Sequence, residues 1–223
     1  MPAVGVIDDR LESRTTLARM LEMNLSKVSE DLTTIDSQPL RELHDYPSWI
    51  AENDVVAIVL DERLQEQAED AEGHVNYDGH QLVDFLRDHA LDLPLYVVTA
   101  FSGDVELNQR LGQVEGIIDR TAFNGNPLAF AQRIARSGLR FFEENQRRFA
   151  EMAEAAASVA MGRASEEEVE KLRALQEALR IPLAADELSE QSRWINDISE
   201  QLRKLQNLKV EIQEYMAKRQ EEE

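Results

Sequence analysis

The chain has 223 residues, of which 43% are hydrophobic and 30% are charged. Its 44 acidic residues outnumber its 24 basic residues, for a formal net charge of −20. This charge argues against nucleic acid or an anionic membrane as a partner, and it favours proteins or cations. The absence of cysteine excludes disulfides, thiolate metal sites and cysteine nucleophiles, and it fits the cytoplasm, where we expect this protein. No apolar run reaches the roughly 18 residues of a membrane span.

Short apolar runs alternate with amphipathic stretches over the first 150 residues. The apolar runs predict five strands, at residues 4–7, 32–35, 55–60, 95–98 and 116–118. The amphipathic stretches predict helices after the first strand, from Pro39 to about 51, after Asp78-Gly79, near 105–111, and from Pro127 to about 150 or beyond. Such alternation predicts an α/β domain with a five-stranded parallel, doubly wound sheet.

The composition changes near residue 148, which predicts an α/β domain at 1–148 and an α-helical extension at 149–223. Two stretches on either side of Pro182 carry apolar faces, formed by Val169, Leu172, Leu175 and Leu179 and by Ile195, Ile198, Leu202, Leu205 and Ile212. The second stretch is close to a heptad repeat, so the faces fit either an intrachain hairpin around Pro182 or a coiled-coil homodimer. The extension has no helix-turn-helix and no catalytic motif, and we expect it to bind a protein effector.

Polar residues of definite types follow the predicted strands. Asp8 and Asp9 follow the first strand, Asp61 the third, Thr99 the fourth and Arg120 the fifth. The carboxyl ends of parallel strands meet at one edge of a sheet, where the three carboxylates would repel one another and attract Mg2+. A carboxylate beside Mg2+ can attack a phosphoryl group and form an acyl phosphate. A nearby hydroxyl and a cation, here Thr99 and Arg120, can then stabilise the phosphoryl oxygens.

The chain resembles the response-regulator receiver family of two-component signalling in five segments, VGVIDDR at 4–10, VVAIVLD at 55–61, YDGHQLVDFLRD at 77–88, LPLYVVTA at 93–100 and GIIDR at 116–120. The resemblance covers about residues 3–148. It implies that Asp61 is the phosphoacceptor, that Asp8, Asp9, Asp61 and the backbone carbonyl of Arg63 hold Mg2+, and that Thr99 is the switch hydroxyl. It also implies a sensor histidine kinase or phosphotransfer protein as partner. No enzymatic activity is implied beyond self-phosphorylation and dephosphorylation at Asp61.

Three features depart from the family pattern. Arg120 and Thr121 stand where the family has lysine and proline, and Ile117 stands where it has an aromatic switch residue. The loop at 62–77 is longer than usual and holds the acids Glu62, Glu66, Glu69, Asp70 and Glu72. Three hypotheses follow: a phosphoacceptor receiver, a degenerate receiver that serves as a scaffold or oligomerisation module, and a phosphatase-like hydrolase that uses Asp61 transiently. The four histidines, His44, His74, His80 and His89, lack ligand-like spacing and indicate surface or loop positions.

Overall fold

The structure, a computed structural model, describes residues 1–65, 75–90, 92–100, 103, 107, 109 and 112–179. The described strands are β1 (Ala3–Ile7), β2 (Thr33–Ser37), β3 (Val55–Leu60), β4 (Leu95–Thr99) and β5 (Gly116–Asp119). The described helices are α1 (Leu11–Leu25), α2 (Tyr46–Glu52), α3 (Gly79–His89), α4 (Arg120–Gly125), α5 (Pro127–Ala160) and α6 (Glu166–Ala178). A short 3-10 helix, Leu43–Asp45, precedes α2. The chain forms two compact units, Met1–Asn145 and Gln146–Glu223.

The five strands of the first unit form one parallel sheet with the order β2-β1-β3-β4-β5. This is the flavodoxin-like order of a doubly wound sheet. The central strand β3 reads VVAIVL and is buried at every position, as expected of a strand covered on both faces. The predicted fold class, a five-stranded parallel doubly wound sheet followed by helices, is therefore confirmed.

Helices cover the sheet on both faces. One face contributes Val4 and Val6 to a core that also contains Leu21 of α1 and Ile134 of α5. Gly5 lies between those two valines and points to the other face, where an added Cβ would stand 2.7 Å from the ring of Trp49 in α2. Because both faces are covered, the carboxyl edge of the sheet is the place left for a functional site.

The segment between β2 and β3 differs from the prediction of a helix that begins at Pro39. The helix α2 begins only at Tyr46. The backbone N–H of Leu40 donates to the hydroxyl of Tyr46 at 3.2 Å, and the hydroxyl of Tyr77 donates to the Leu40 carbonyl. In a helix from Pro39 the Leu40 carbonyl would accept from a backbone N–H four residues further on, but here it accepts from Tyr77, so the prediction was wrong there. The helix predicted near 105–111 lies mostly outside the described residues.

The described part of the second unit is helical. The end of α5 and the helix α6 pack through a cluster of Phe149, Met152, Leu172, Leu175 and Leu179. The turn between them contains Gly162 at a φ of 65°, a left-handed conformation that favours glycine after a helix end. Pro182 and the heptad face from Ile195 onward lie outside the described residues. None of the helices in the described ranges combines the length and apolarity that a membrane crossing needs.

Candidate functional site

The ends of four strands bring the predicted residues to the carboxyl edge of the sheet. The backbone N–H of Asp61 donates to the Ile7 carbonyl at 2.9 Å, which sets the end of β3 beside the end of β1. Asp8 and Thr99 are completely buried, whereas the side chain of Asp61 keeps 14% of its surface exposed. The result is a pocket in which one carboxylate remains open to solvent.

Arg120 contacts both carboxylates of this pocket. Its Nη2 lies 2.9 Å from Oδ2 of Asp8 and 3.0 Å from Oδ2 of Asp61. The same nitrogen donates to the Val98 carbonyl at 3.1 Å, and Nη1 donates to the hydroxyl of Ser13. One guanidinium thus joins the ends of β1, β3 and β4 and the first turn of α1.

The position of Arg120 follows from the way α4 begins. Asp119 caps this helix, because its carboxylate accepts hydrogen bonds from the backbone N–H of Thr121 at 2.9 Å and of Ala122 at 3.2 Å. A proline in place of Thr121 would have no N–H to donate. The departure from the family pattern at Thr121 therefore supplies one donor of the cap that fixes the start of the helix at Arg120.

Asp8 is held by more partners than its sequence position indicates. Its Oδ1 accepts from the backbone N–H of Arg10 at 2.9 Å, and its Oδ2 accepts from the hydroxyl of Ser13 at 2.8 Å. The buried Arg14 donates from Nη1 to the Asp8 carbonyl and from Nε to Oδ2 of Asp36, both at 3.0 Å. Ser13 and Arg14 are not among the residues that the sequence predicts for the site. The only feature of the sequence that could have indicated these two residues is their position in the first turn of the helix that follows Asp8.

Burial and the charge of Asp8 oppose the ionised form of Asp61, whereas Arg120 and two hydrogen-bond donors favour it. Burial raises its pKa above the ordinary 3.8, Arg120 lowers the pKa, and the charge of Asp8 raises it again. The hydroxyl of Thr99 and the backbone N–H of Glu62, the latter at 2.7 Å, both donate to the carboxylate and lower the pKa. The net effect is a raised pKa, so this acid holds its proton more tightly than a solvated one.

The backbone of Asp61 is in close contact with the start of α3. The N–H of Gly79 donates to the Glu62 carbonyl at 2.6 Å. A Cβ at Gly79 would lie 2.4 Å from the Asp61 carbonyl oxygen and 2.9 Å from Cα of Glu62. Only glycine allows the start of α3 to come this close to the backbone of Asp61, so Gly79 helps to position Asp61.

Two hydrogen-bonded arrangements hold the ends of the acidic loop. Asp78 and Gln81 form a capping box at the start of α3, and Nε2 of Gln65 donates to Asp78 at 2.6 Å. Glu62 is buried and its Oε1 lies 2.5 Å from Nδ1 of His80, which corrects the placing of His80 at the surface or in a loop. The other acids of the loop, Glu66, Glu69, Asp70 and Glu72, lie outside the described residues.

The donor types at this edge fit Mg2+, which prefers oxygen ligands. Asp9 is buried directly after Asp8, and Arg63 follows Asp61 by two residues. In the arrangement described, however, Oδ2 of Asp8 and Oδ2 of Asp61 both contact Arg120. Within the described part of the chain, no three or more His, Asp or Glu side chains are grouped so as to hold a metal ion.

Neither a protein-family model nor a curated protein matches the sequence. Solved structures that are similar include the non-phosphorylated HemR receiver domain from Leptospira biflexa, at 18% identity over 60% of this chain and 94% of that chain, with a TM-score of 0.44. The response regulator TrrA from Thermotoga maritima, in complex with Mg2+-BeF, is similar at 15% identity over 61% and 99%, with a TM-score of 0.42. A CheY-like receiver domain from Methanospirillum hungatei is similar at 12% identity over 65% and 98%, with a TM-score of 0.47. Two of these three similar structures are receiver domains of response regulators, and the third is a response regulator.

Proposed function

We propose that residues 1–148 are a phosphoacceptor receiver of a two-component or phosphorelay system, with Asp61 as the phosphorylated residue. The observation that carries this proposal is the surroundings of the Asp61 carboxylate, which accepts from the Thr99 hydroxyl and from Arg120 beside the buried Asp8. A nucleophilic carboxylate, a hydroxyl donor and a fixed cation are the groups that phosphoryl transfer to an aspartate requires.

The chemistry assigns a role to each of these side chains. The ionised Asp61 attacks the phosphorus of a phosphohistidine on a kinase or phosphotransfer protein, the P–N bond breaks, and the imidazole leaves and takes up a proton. The Thr99 hydroxyl donates to a phosphoryl oxygen, and the Arg120 guanidinium neutralises charge on the new acyl phosphate. Mg2+, held by Asp8, Asp9, Asp61 and the backbone carbonyl of Arg63, would supply further charge neutralisation when bound.

The partners follow from the same assignment. A sensor histidine kinase or a phosphotransfer protein supplies the phosphoryl group. The helical extension, residues 149–223, binds a protein effector or a second copy of the chain, whereas the charge of −20 disfavours nucleic acid and membrane. Asp61 undergoes self-phosphorylation and dephosphorylation, and we propose that the protein acts in the cytoplasm as a signalling component without another enzymatic activity.

A second candidate function is a degenerate, non-switching receiver that serves as a scaffold or oligomerisation module. The observation in its favour is that Arg120 already satisfies one oxygen of Asp8 and one of Asp61. Ile117, at the place of the family's aromatic switch residue, is half-buried in β5. A pocket closed by its own arginine, without a switch aromatic, would keep the fold and lose the response to phosphorylation.

Fluorine NMR of the full chain with beryllium fluoride and Mg2+ separates the two candidates. The receiver proposal predicts bound-fluoride resonances that disappear in Asp61→Asn. The matched control is Asp54→Asn, since Asp54 is exposed and precedes β3 at the opposite edge of the sheet. Bound resonances that survive in Asp61→Asn contradict the assignment of Asp61. Their absence from the wild-type protein contradicts the receiver proposal and leaves the scaffold.

A further inference from the structure

We propose that Arg120 is an internal cation that competes with Mg2+ for the carboxylates of Asp8 and Asp61. The proposal deepens the proposed function, because it rests on the same pocket and describes how cation binding there is regulated. It concerns the unphosphorylated protein, so its test does not depend on transfer of a phosphoryl group to Asp61.

Arg120 occupies the pair of carboxylates that would also hold Mg2+. Nη2 of Arg120 lies 2.9 Å and 3.0 Å from the Oδ2 atoms of Asp8 and Asp61. Mg2+ binds carboxylate oxygens at about 2.0–2.1 Å, and its double charge repels a guanidinium held at the same oxygens. The two cations therefore exclude one another at this pair of carboxylates.

Arg120 is also anchored by more than its two ion pairs. The same side chain donates to the carbonyl of Val98 and to the hydroxyl of Ser13. A guanidinium presents its donors in a rigid planar fork, whereas a lysine ammonium is a single point charge on a flexible stem. An arginine can hold all these acceptors at once, so the metal must displace a set of bonds rather than one.

Arg120 also changes the net charge that would attract a metal ion to the pocket. Two carboxylates without a nearby cation would attract a divalent ion strongly, but the positive charge of Arg120 offsets part of this attraction. The side chain of Arg120 also keeps 27% of its surface exposed, which gives it a route toward solvent when it leaves the carboxylates. Mg2+ binding and the withdrawal of Arg120 are then coupled. Contact of Arg120 with the carboxylates weakens Mg2+ binding, and bound Mg2+ weakens that contact by the same factor.

Under the proposed function this coupling has a direct use. Arg120 released by Mg2+ is a free cation beside Asp61, and an acyl phosphate on Asp61 offers it new acceptor oxygens. Arg120 would thus neutralise the carboxylates in the resting pocket and bind the phosphoryl group in the modified pocket. The same residue sets the Mg2+ concentration at which the pocket becomes ready for transfer.

Isothermal titration of the full chain with Mg2+ tests the competition. We expect Arg120→Gln to bind Mg2+ about tenfold more tightly than the wild-type protein, since charge-assisted hydrogen bonds of the arginine no longer have to be broken. Arg120→Lys should fall between the two. The matched control is Arg140→Gln, which removes the same charge from an exposed position on α5 and should leave the affinity unchanged.

A second measurement keeps the test decisive if the glutamine variant folds poorly without metal. The increase of the thermal midpoint on addition of Mg2+ should be larger for Arg120→Lys than for the wild-type protein. Equal Mg2+ affinities in all variants would overturn the proposal, and so would equal tightening by Arg140→Gln, because a general charge effect would then suffice. The two proposals can fail separately. If no bound-fluoride resonance appears but the Arg120 variants still change the Mg2+ affinity, the phosphorylation of Asp61 is refuted and the competition between Arg120 and Mg2+ stands.

Discussion

At the scale of single residues, the pocket balances the charge of Asp61 against its burial. Burial and the charge of Asp8 raise its pKa, while Arg120 and Thr99 act in the opposite direction. A carboxylate must be ionised to act as a nucleophile, and an acyl phosphate lasts longer where water is scarce. Under the proposed function, partial burial therefore protects the acyl phosphate from water but disfavours the ionised carboxylate of Asp61. The contacts with Arg120 and Thr99 favour the ionised form and partly offset this effect.

We predict that Asp61→Asn raises the thermal midpoint at neutral pH. The native pKa of Asp61 lies above the unfolded value of 3.8, so the native state binds more protons between these two values. The stability that this group contributes is complete below 3.8 and is lost as the pH rises through the native pKa. Asparagine carries no charge at any pH, so the Asp61→Asn variant should be more stable than the wild-type protein above the native pKa of Asp61.

Thermal unfolding of both proteins from about pH 4 to about pH 8 measures this difference. The advantage of the asparagine variant should shrink toward the acidic end of the range. A variant that is less stable than the wild-type protein at neutral pH would contradict the raised pKa. A difference that does not change with pH would contradict it as well.

The sequence could predict that these polar side chains lie together at one edge of the sheet, whereas it could not predict their contacts. Asp8, Asp61 and Thr99 each follow or end an apolar strand, and parallel strands must end at one edge. The bridge made by Arg120 depends on where the cap of α4 sets the start of that helix, which no spacing encodes. Ser13 was missed for a similar reason, because a serine in a first helical turn has many ordinary uses.

At the scale of elements, the junction between β3 and α3 positions Asp61. The strand β3 ends at Leu60. The backbone N–H of Gly79, at the start of α3, donates a hydrogen bond to the Glu62 carbonyl just after this strand. The capping box of Asp78 and Gln81 fixes the first turn of that helix. The main chain around Asp61 is therefore held from both sides of the acidic loop.

We predict that Gly79→Ala destabilises the fold by about 2 kcal/mol, as overpacking at a close contact does. Its Cβ would meet the backbone of Asp61 and Glu62 rather than a side chain that could move aside. The same displacement should weaken the beryllium fluoride signal of Asp61. The measurements are urea unfolding and fluorine NMR of the full chain.

The matched control for this prediction is Gly125→Ala. An added Cβ at Gly125 has no atom within 4 Å, and we expect this variant to unfold within about 0.5 kcal/mol of the wild-type protein. An alanine at Gly79 that leaves both stability and the fluorine signal unchanged would refute the close approach of α3 to the site.

The strands were easier to predict than the ends of the helices. The run at 55–60 is apolar at every position, and it forms β3 with the predicted bounds. The helix expected from Pro39 begins at Tyr46, because the hydroxyls of Tyr46 and of the distant Tyr77 engage the backbone of Leu40. The turn at Gly162 was also missed, since helix-forming residues precede and follow it.

At the scale of the whole molecule, the chain joins an α/β unit to a helical one. The first unit carries every residue assigned to phosphoryl transfer, and the second is held together by its own apolar cluster around Met152 and Leu175. Separate cores of this kind allow the units to serve separate roles. We propose that the first unit receives the signal and that the second presents it to a protein partner.

The proposal that Asp61 is the phosphoacceptor can be tested by measuring the intact mass of the full chain after incubation with Mg2+ and a small acyl phosphate donor. We expect the addition of a single phosphoryl group, its slow loss by hydrolysis and its complete absence from Asp61→Asn. The control variant Asp54→Asn should be labelled like the wild-type protein. A wild-type chain that gains no mass, or a label that persists in Asp61→Asn, would refute this role of Asp61.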